Sequence, residues 1–322
     1  MVPFVIALFV WYLINAMARA MESLPWRVPR FLRFTLAVLA LLGTMTAVVG
    51  LLSQNIAQMV QTAPMYQQKL DAVLLQAVGI LHLAHVPTVR ELLGYVDIEK
   101  VIMVLAALFT GVAGKMLIVT FYTGFLLYEQ KFFDGKIKAM FTKQATGRRV
   151  RKTLAEIDVK LRRYIGIKSL MSAIDSFLTF TILSVADVPF AAFWGVMAFF
   201  LHFIPYAGSM VAITMPALIA LVHFPELAQT IMVVAALCTS HAFIGHILDP
   251  YMMGNNLNLS PVFIISSLAM WGMVWGVPGM FLAIPILAMT VITLSQFPAT
   301  RGIAVALSKT GVLDDANGKD VE

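Results

Sequence analysis

Lys168, Ser172, Asp175 and Thr179 follow one another at three- and four-residue steps inside an apolar stretch, a spacing that puts all four on one face of a helix. A charged side chain in such a setting is costly, and it ordinarily faces the interior of a helix bundle or a water path. Asp175 stands about 10 Å along the helix axis from Lys168, too far for a direct pair. The stripe therefore lines a pathway or is satisfied by a neighbouring helix. A second carboxylate, Asp249, heads the sequence Asp249-Pro250 beside another apolar run. A carboxylate in a low dielectric can exchange between charged and neutral forms, and that chemistry couples a proton or a sodium ion to the movement of something else. Asp175, Asp249, Lys168 and Ser172 are thus the expected ion-coupling residues. The structural alternative for Asp249 is an Asp-Pro turn at a helix end.

Two further constellations consist of helix breakers. The apolar run 190–222 is interrupted at His202-Phe203-Ile204-Pro205-Tyr206-Ala207-Gly208-Ser209, and the run 261–296 at Gly276-Val277-Pro278-Gly279. Proline removes a donor, and glycine permits sharp geometry. Each run has another proline beyond its break, Pro216 and Pro285. An interrupted helix frees backbone groups that can hold a solute inside a membrane, and paired interrupted segments point to a transport site. Free carbonyls and amides at the breaks, with Tyr206 and Ser209, are expected to bind a small polar solute. Pro205, Gly208, Pro250, Gly254, Gly276, Pro278 and Gly279 shape or gate that site. Each interrupted run is a re-entrant pair of half-helices or two short tilted crossings.

Other chemistry is weaker. His82 and His85 lie three apart with no further ligand nearby, so no metal site is expected. His241 and His246 lie five apart and do not share a face; they are modest evidence for a proton-sensitive site. The one cysteine, Cys238, excludes an intramolecular disulfide and reads as a small buried apolar residue. No nucleotide-binding glycine loop of the Gly-x4-Gly-Lys-Ser/Thr type and no catalytic triad occurs, so neither an enzyme nor a cofactor is expected, beyond coupling to protons or sodium.

The elements that must position these residues are membrane helices. Of 322 residues, 60% are apolar and 12% charged. Mean hydropathy is +0.86, and several runs reach the ~20 apolar residues that a crossing needs. The fold class is all-α, a polytopic helix bundle. The net charge of +6 does not point to nucleic acid, because the basic residues gather in loops beside apolar runs, where they orient a chain in the bilayer. The expected order is an N-terminal membrane helix pair over 1–53, with the first helix over 3–20, then an amphipathic non-cytoplasmic segment over 54–100 punctuated by Pro64 and Pro87. A membrane helix over 101–128, interrupted by Lys115, leads to a basic cytoplasmic segment over 129–163. A transport core over 164–300 and a cytoplasmic tail over 301–322 complete the chain. Within that core, residues 249–260 are expected to be a polar loop. By parity the two interrupted hairpins enter from opposite faces.

The motifs Phe203-Ile204-Pro205-Tyr206-Ala207-Gly208-Ser209, Ile247-Leu248-Asp249-Pro250 with Gly254, Leu257, Leu259, Ser260 and Pro261, then Trp271-Gly272, Gly276, Pro278-Gly279-Met280 and Ala283-Ile284-Pro285, resemble in order those of the autoinducer-2 exporter family of bacterial membrane proteins. Lys168 and Ser169 fall where that family carries a polar pair. The resemblance implies a multi-pass inner-membrane permease, linked to export of a quorum-sensing furanone or to sodium/proton antiport. It also implies another hydrophobic segment ahead of the one that begins here. Where the family often has a basic residue after the Asp/Glu-Pro, this chain has Tyr251, Asn255 and Asn256.

The leading expectation is a secondary transporter for a small polar solute. A sodium/proton antiporter, a passive pore and a non-transporting scaffold are the alternatives. The expected partners are the lipid bilayer, a small-molecule or ion substrate, and further copies of the chain through Gly- and Ala-bearing helix faces.

Overall fold

The computed structural model describes residues 2–20, 29–81, 114–140, 144–253 and 258–312. Among them the structure is helical, and the only pairing of extended backbone is one isolated antiparallel bridge between Leu259 and Ser308. The helices are α1 (Val2–Ala20), α2 (Arg30–Leu81), α3 (Met116–Glu129), α4 (Phe133–Met140), α5 (Gln144–Val185), α6 (Ala191–Leu201), α7 (Ala207–His223), α8 (Leu227–Phe243), α9 (Asp249–Met253), α10 (Pro261–Trp275), α11 (Val277–Ser295) and α12 (Arg301–Leu307). Among the described residues, five stretches are long and apolar enough to cross a membrane: Val2–Arg19, Thr35–Thr62, Val150–Val185, Leu227–Met252 and Val277–Ser295.

Two compact units share these elements. The first comprises residues 1–38, 116–170 and 249–322, the second 39–115 and 171–248. In the first, α1 packs against α3 and α11, α10 against α11, and α11 against α12. Its core gathers Tyr164, Ile165, Leu259, Ile284, Leu287 and Val291, with Phe9 and Tyr12 of α1 laid on it. Trp11 Nε1 donates to Gln130 Oε1 at 2.9 Å, which satisfies an indole N–H in an otherwise apolar helix. In the second unit α7 packs against α6 and α8. Its core gathers Leu52, Met59, Leu183, Phe193, Trp194 and Leu237.

The two interrupted runs are helical hairpins, as their breakers require. The first arm of each is short. The 11-residue α6 spans about 16 Å and the 15-residue α10 about 22 Å, against a hydrocarbon core of roughly 30 Å. The first hairpin turns at Tyr206, whose φ of 63° and ψ of −62° are a strained conformation for a bulky residue. The second turns at Gly276, with φ 67° and ψ −147°, a region open almost only to glycine.

Several boundaries differ from expectation. Pro64 does not punctuate; α2 runs through it unbroken for 52 residues. A proline inside a helix removes one hydrogen bond and crowds the preceding turn. Here the buried Met59 and Tyr66 anchor the helix on either side, and Pro64 itself is exposed. Pro87, His82 and His85 lie outside the described residues. Lys115 occupies a turn ahead of α3 rather than a helix interior, and residues 101–113 are not described. From Gln144 onward the basic segment and the span after it are one 42-residue helix, α5. Its charged half is held by i,i+4 pairs, Lys160 to Glu156 at 3.1 Å and Arg162 to Asp158. Cys238 is exposed on α8, not buried; a period of 3.6 residues puts it on the face away from the buried Val233 and Leu237.

The tail is tied down where it leaves α12. Ser260 N donates to the Leu307 carbonyl at 3.0 Å and Lys309 N to the Asn258 carbonyl at 3.0 Å. The Asn258 side chain donates to Val312 O and accepts from Thr310 N.

Candidate functional site

Two buried charge clusters stand in the two units, and α5 supplies one member of each. In the first unit Lys168 Nζ lies 2.9 Å from Asp249 Oδ2, with both side chains largely shielded from solvent. Asp249 is placed by an irregularity in its own helix. After α8 the backbone makes a π-helical turn over Ile244–Leu248 and resumes as α9. Pro250 has no N–H to return to the carbonyl four residues back, and a wider turn accommodates that loss. Residues 249–253 of the expected polar loop are therefore helical. Tyr164, one turn before Lys168, is buried, and its hydroxyl has no hydrogen-bond partner. Taking two charges out of water costs several kcal/mol each, and their mutual attraction offsets that cost only while both are present.

In the second unit the rest of the stripe is fully enclosed. Ser172, Asp175 and Thr179 are each 0% exposed. The Asp175 carboxylate faces two imidazoles: His241 Nδ1 stands 3.1 Å from Oδ1, and His202 Nδ1 3.3 Å from Oδ2. Both histidines are buried. The contacts are close but not aligned as hydrogen bonds. The helices deliver these groups by register. Asp175 lies on the inward face of α5, His202 is the residue at which α6 ends, and His241 lies one turn after the buried Leu237 on α8.

The hydroxyls of this stripe behave differently from others in the chain. Thr44, Thr123, Thr181, Thr239 and Thr290 each donate to the carbonyl four residues back, the usual outcome in an apolar helix. Ser172 Oγ and Thr179 Oγ1 are buried and make no such bond. They flank Asp175 on the same face, so the enclosed polar surface extends over two turns.

The structure thus brings together Lys168 with Asp249, while Ser172 and Asp175 share a buried helix face without a hydrogen bond between them. His202 and His241 were not among the expected coupling residues. His241 carried a faint signal as a proton-sensitive group, whereas His202 was hidden in the break motif. His246 is exposed and lies against the Ala242 carbonyl at 3.2 Å. Among the described residues no group of three or more His, Cys, Asp or Glu is arranged to hold a metal ion. The two imidazoles meet opposite oxygens of the carboxylate and do not converge.

The break residues close the turns of the two hairpins. The amides of His202, Phe203, Ile204, Ala207, Gly208 and Met210 are all donated within the first hairpin. Those of Gly276, Gly279 and Met280 are donated within the second. Short-range bonds that close the turns thus engage these amides. Gly208 and Gly279 are buried contact points. A Cβ on Gly208 would run into the Leu201 carbonyl oxygen, and one on Gly279 into that of Trp271. Pro205, Ser209 and Pro278 are half-buried, while Tyr206, Pro250 and Gly276 are exposed. Gly254 lies outside the described residues.

Comparison with known proteins bears on this arrangement. The model of the AI-2E family transporters matches residues 1–299. The AI-2 transport protein TqsA of Escherichia coli is 29% identical over 316 residues, covering 95% of this chain and 89% of that protein. The putative transport protein YhhT of the same organism is 27% identical, over 87% of this chain and 80% of its own length. A putative transport protein of Haemophilus influenzae is 26% identical, over 95% of this chain and 89% of its own.

Proposed function

Because the chain belongs to the AI-2E family of transporters, multi-span membrane proteins of bacteria, we propose that it is a secondary transporter that exports a small polar solute of the AI-2 type across the inner membrane, driven by a proton or sodium gradient. The observation that carries this is the burial of Lys168 and Asp175, and the partial burial of Asp249, on apolar helices where a charge is costly. A coupling ion or solute gives such groups a reason to be there. Asp175 and Asp249 are the carboxylates that engage it, with Lys168 and Ser172 beside them. The substrate class follows the name of the E. coli relative, an AI-2 transport protein.

The basic half of α5 and the tail then lie on the cytoplasmic side, as the preference of Lys and Arg for that side requires. Copies associate through faces such as that of Gly43 and Gly50 on α2, where a Cβ would meet nothing within 4 Å.

The test is flux in proteoliposomes holding the purified full chain, with imposed proton and sodium gradients and a panel of small solutes that includes the furanone. Gradient-dependent solute movement that stops when the gradients are collapsed supports the reading. Unchanged flux after collapse makes the protein a passive pore. Sodium-driven proton movement with no solute makes it a sodium/proton antiporter. No flux of any kind overturns transport altogether.

A further inference from the structure

We propose that Asp175, His202 and His241 form a reversible proton-binding site, which, if the transporter reading above holds, makes the coupling ion a proton and assigns it to the imidazoles beside Asp175 rather than to Asp249.

The two carboxylates differ in what faces them. Asp249 is already neutralised by Lys168 at 2.9 Å. To protonate it, that ion pair must be broken and a buried ammonium left uncompensated. Asp175 faces imidazoles on both oxygens, at 3.1 and 3.3 Å, and an imidazole is the side chain that gains and loses charge near neutral pH. With both rings neutral the cluster carries one buried negative charge. With one proton bound at Nδ1 of either ring it is a neutral ion pair. The step is simple to balance: a proton leaves water on one side, forms an N–H bond on an imidazole beside Asp175, and is later released to water on the other side.

Among the described residues of the enclosing elements few other ionisable groups occur, and Lys168, on the same face of α5, is engaged by Asp249 at 2.9 Å. Past Leu170, α5 carries only Asp175; α6 and α7 carry none before His223; and α8 carries only His241 and the exposed Cys238. On α2, Tyr66 packs against Val222 and Phe190, and Lys69 is exposed. The charges that bear on His241 are those of Asp175 and His202.

Two further observations favour a proton over a metal cation. Hard cations require a shell of oxygen ligands, whereas two of these three groups present nitrogen. The unspent hydroxyls of Ser172 and Thr179, and the buried His241 Nε2, which also has no hydrogen-bond partner, are groups that can accept and pass a proton along the stripe.

The experiment is a pH titration of the full chain in lipid nanodiscs, with 15N-labelled histidine, following the imidazole nitrogen shifts. Single His→Gln substitutions at the six histidines assign the signals. His202 and His241 are expected to change protonation together between about pH 5 and 8, and Asp175→Asn is expected to move the midpoint by roughly one pH unit or more. Exchanging sodium for potassium should leave the titration in place. If neither ring titrates in the wild-type chain, or if Asp175→Asn leaves both midpoints unmoved, the proposal is overturned. A sodium-dependent midpoint overturns it in favour of a sodium site. The readout needs no solute, so flux without titration defeats this proposal alone, and titration without flux defeats the transporter reading alone. The wild-type titration decides the matter even if a substituted chain does not assemble.

Discussion

Lys168 Nζ sits 2.9 Å from Asp249 Oδ2, a buried ion pair between residues 81 positions apart in the chain. It ties the middle of α5 to the first residue of α9 within one unit.

Neutralising one partner strands the other. Lys168→Met or Asp249→Leu should each lower stability by about 3–5 kcal/mol, because an uncompensated buried charge remains. The double substitution should recover most of that loss. Thermal unfolding of the four chains in one detergent checks it; a double variant no better than the worse single one would refute the coupling.

The hairpin glycines allow a sharp contrast. Gly208→Ala and Gly279→Ala drive a methyl into a carbonyl oxygen of the facing arm and should cost about 1–3 kcal/mol or more each. Gly124→Ala on α3, where nothing lies within 4 Å, should be neutral or slightly stabilising, since alanine is favoured over glycine in a helix by up to about 1 kcal/mol. Melting temperatures of the three variants, measured together, decide whether close approach or helix propensity governs.

Pro64 occupies an exposed position inside α2. Replacing it with alanine restores a backbone donor and removes a clash, so Pro64→Ala should raise the melting temperature, with a gain bounded by about 3 kcal/mol. A lowered melting temperature would mean that a bend at Pro64 is required by the packing of Met59 and Tyr66.

Asn258 holds the chain after α12 through Val312 O and Thr310 N, and its φ of 40° suits asparagine better than most residues. Asn258→Ala loses both the hydrogen bonds and the backbone preference. Limited proteolysis should then cut near residues 308–312 many times faster, while amide protection in α10 and α11 changes little.

The helix-breaker motifs were the most legible part of this chain, because proline and glycine act through local backbone geometry that needs no partner to be recognised. The shared face of Lys168, Ser172, Asp175 and Thr179 was equally legible from periodicity, and all four are buried. Which partner each one meets was not. The Lys168–Asp249 pair and the two imidazoles at Asp175 arise from long-range packing, and no local pattern encodes that. Asp249 looked like the start of a loop because Asp-Pro is a common turn signal; the π-helical turn before it lets the helix absorb the proline instead. Cys238 looked buried because its neighbours are apolar, yet in a lipid-facing helix apolar composition does not distinguish inside from outside.

At Gly208 and Gly279 the two arms of a hairpin meet backbone to backbone, with no side chain between them. These contacts lock the arms together beside each turn, where no cushion can compress and no gap can close. A hairpin that opens must therefore do so at its far ends, pivoting on the contact at its apex.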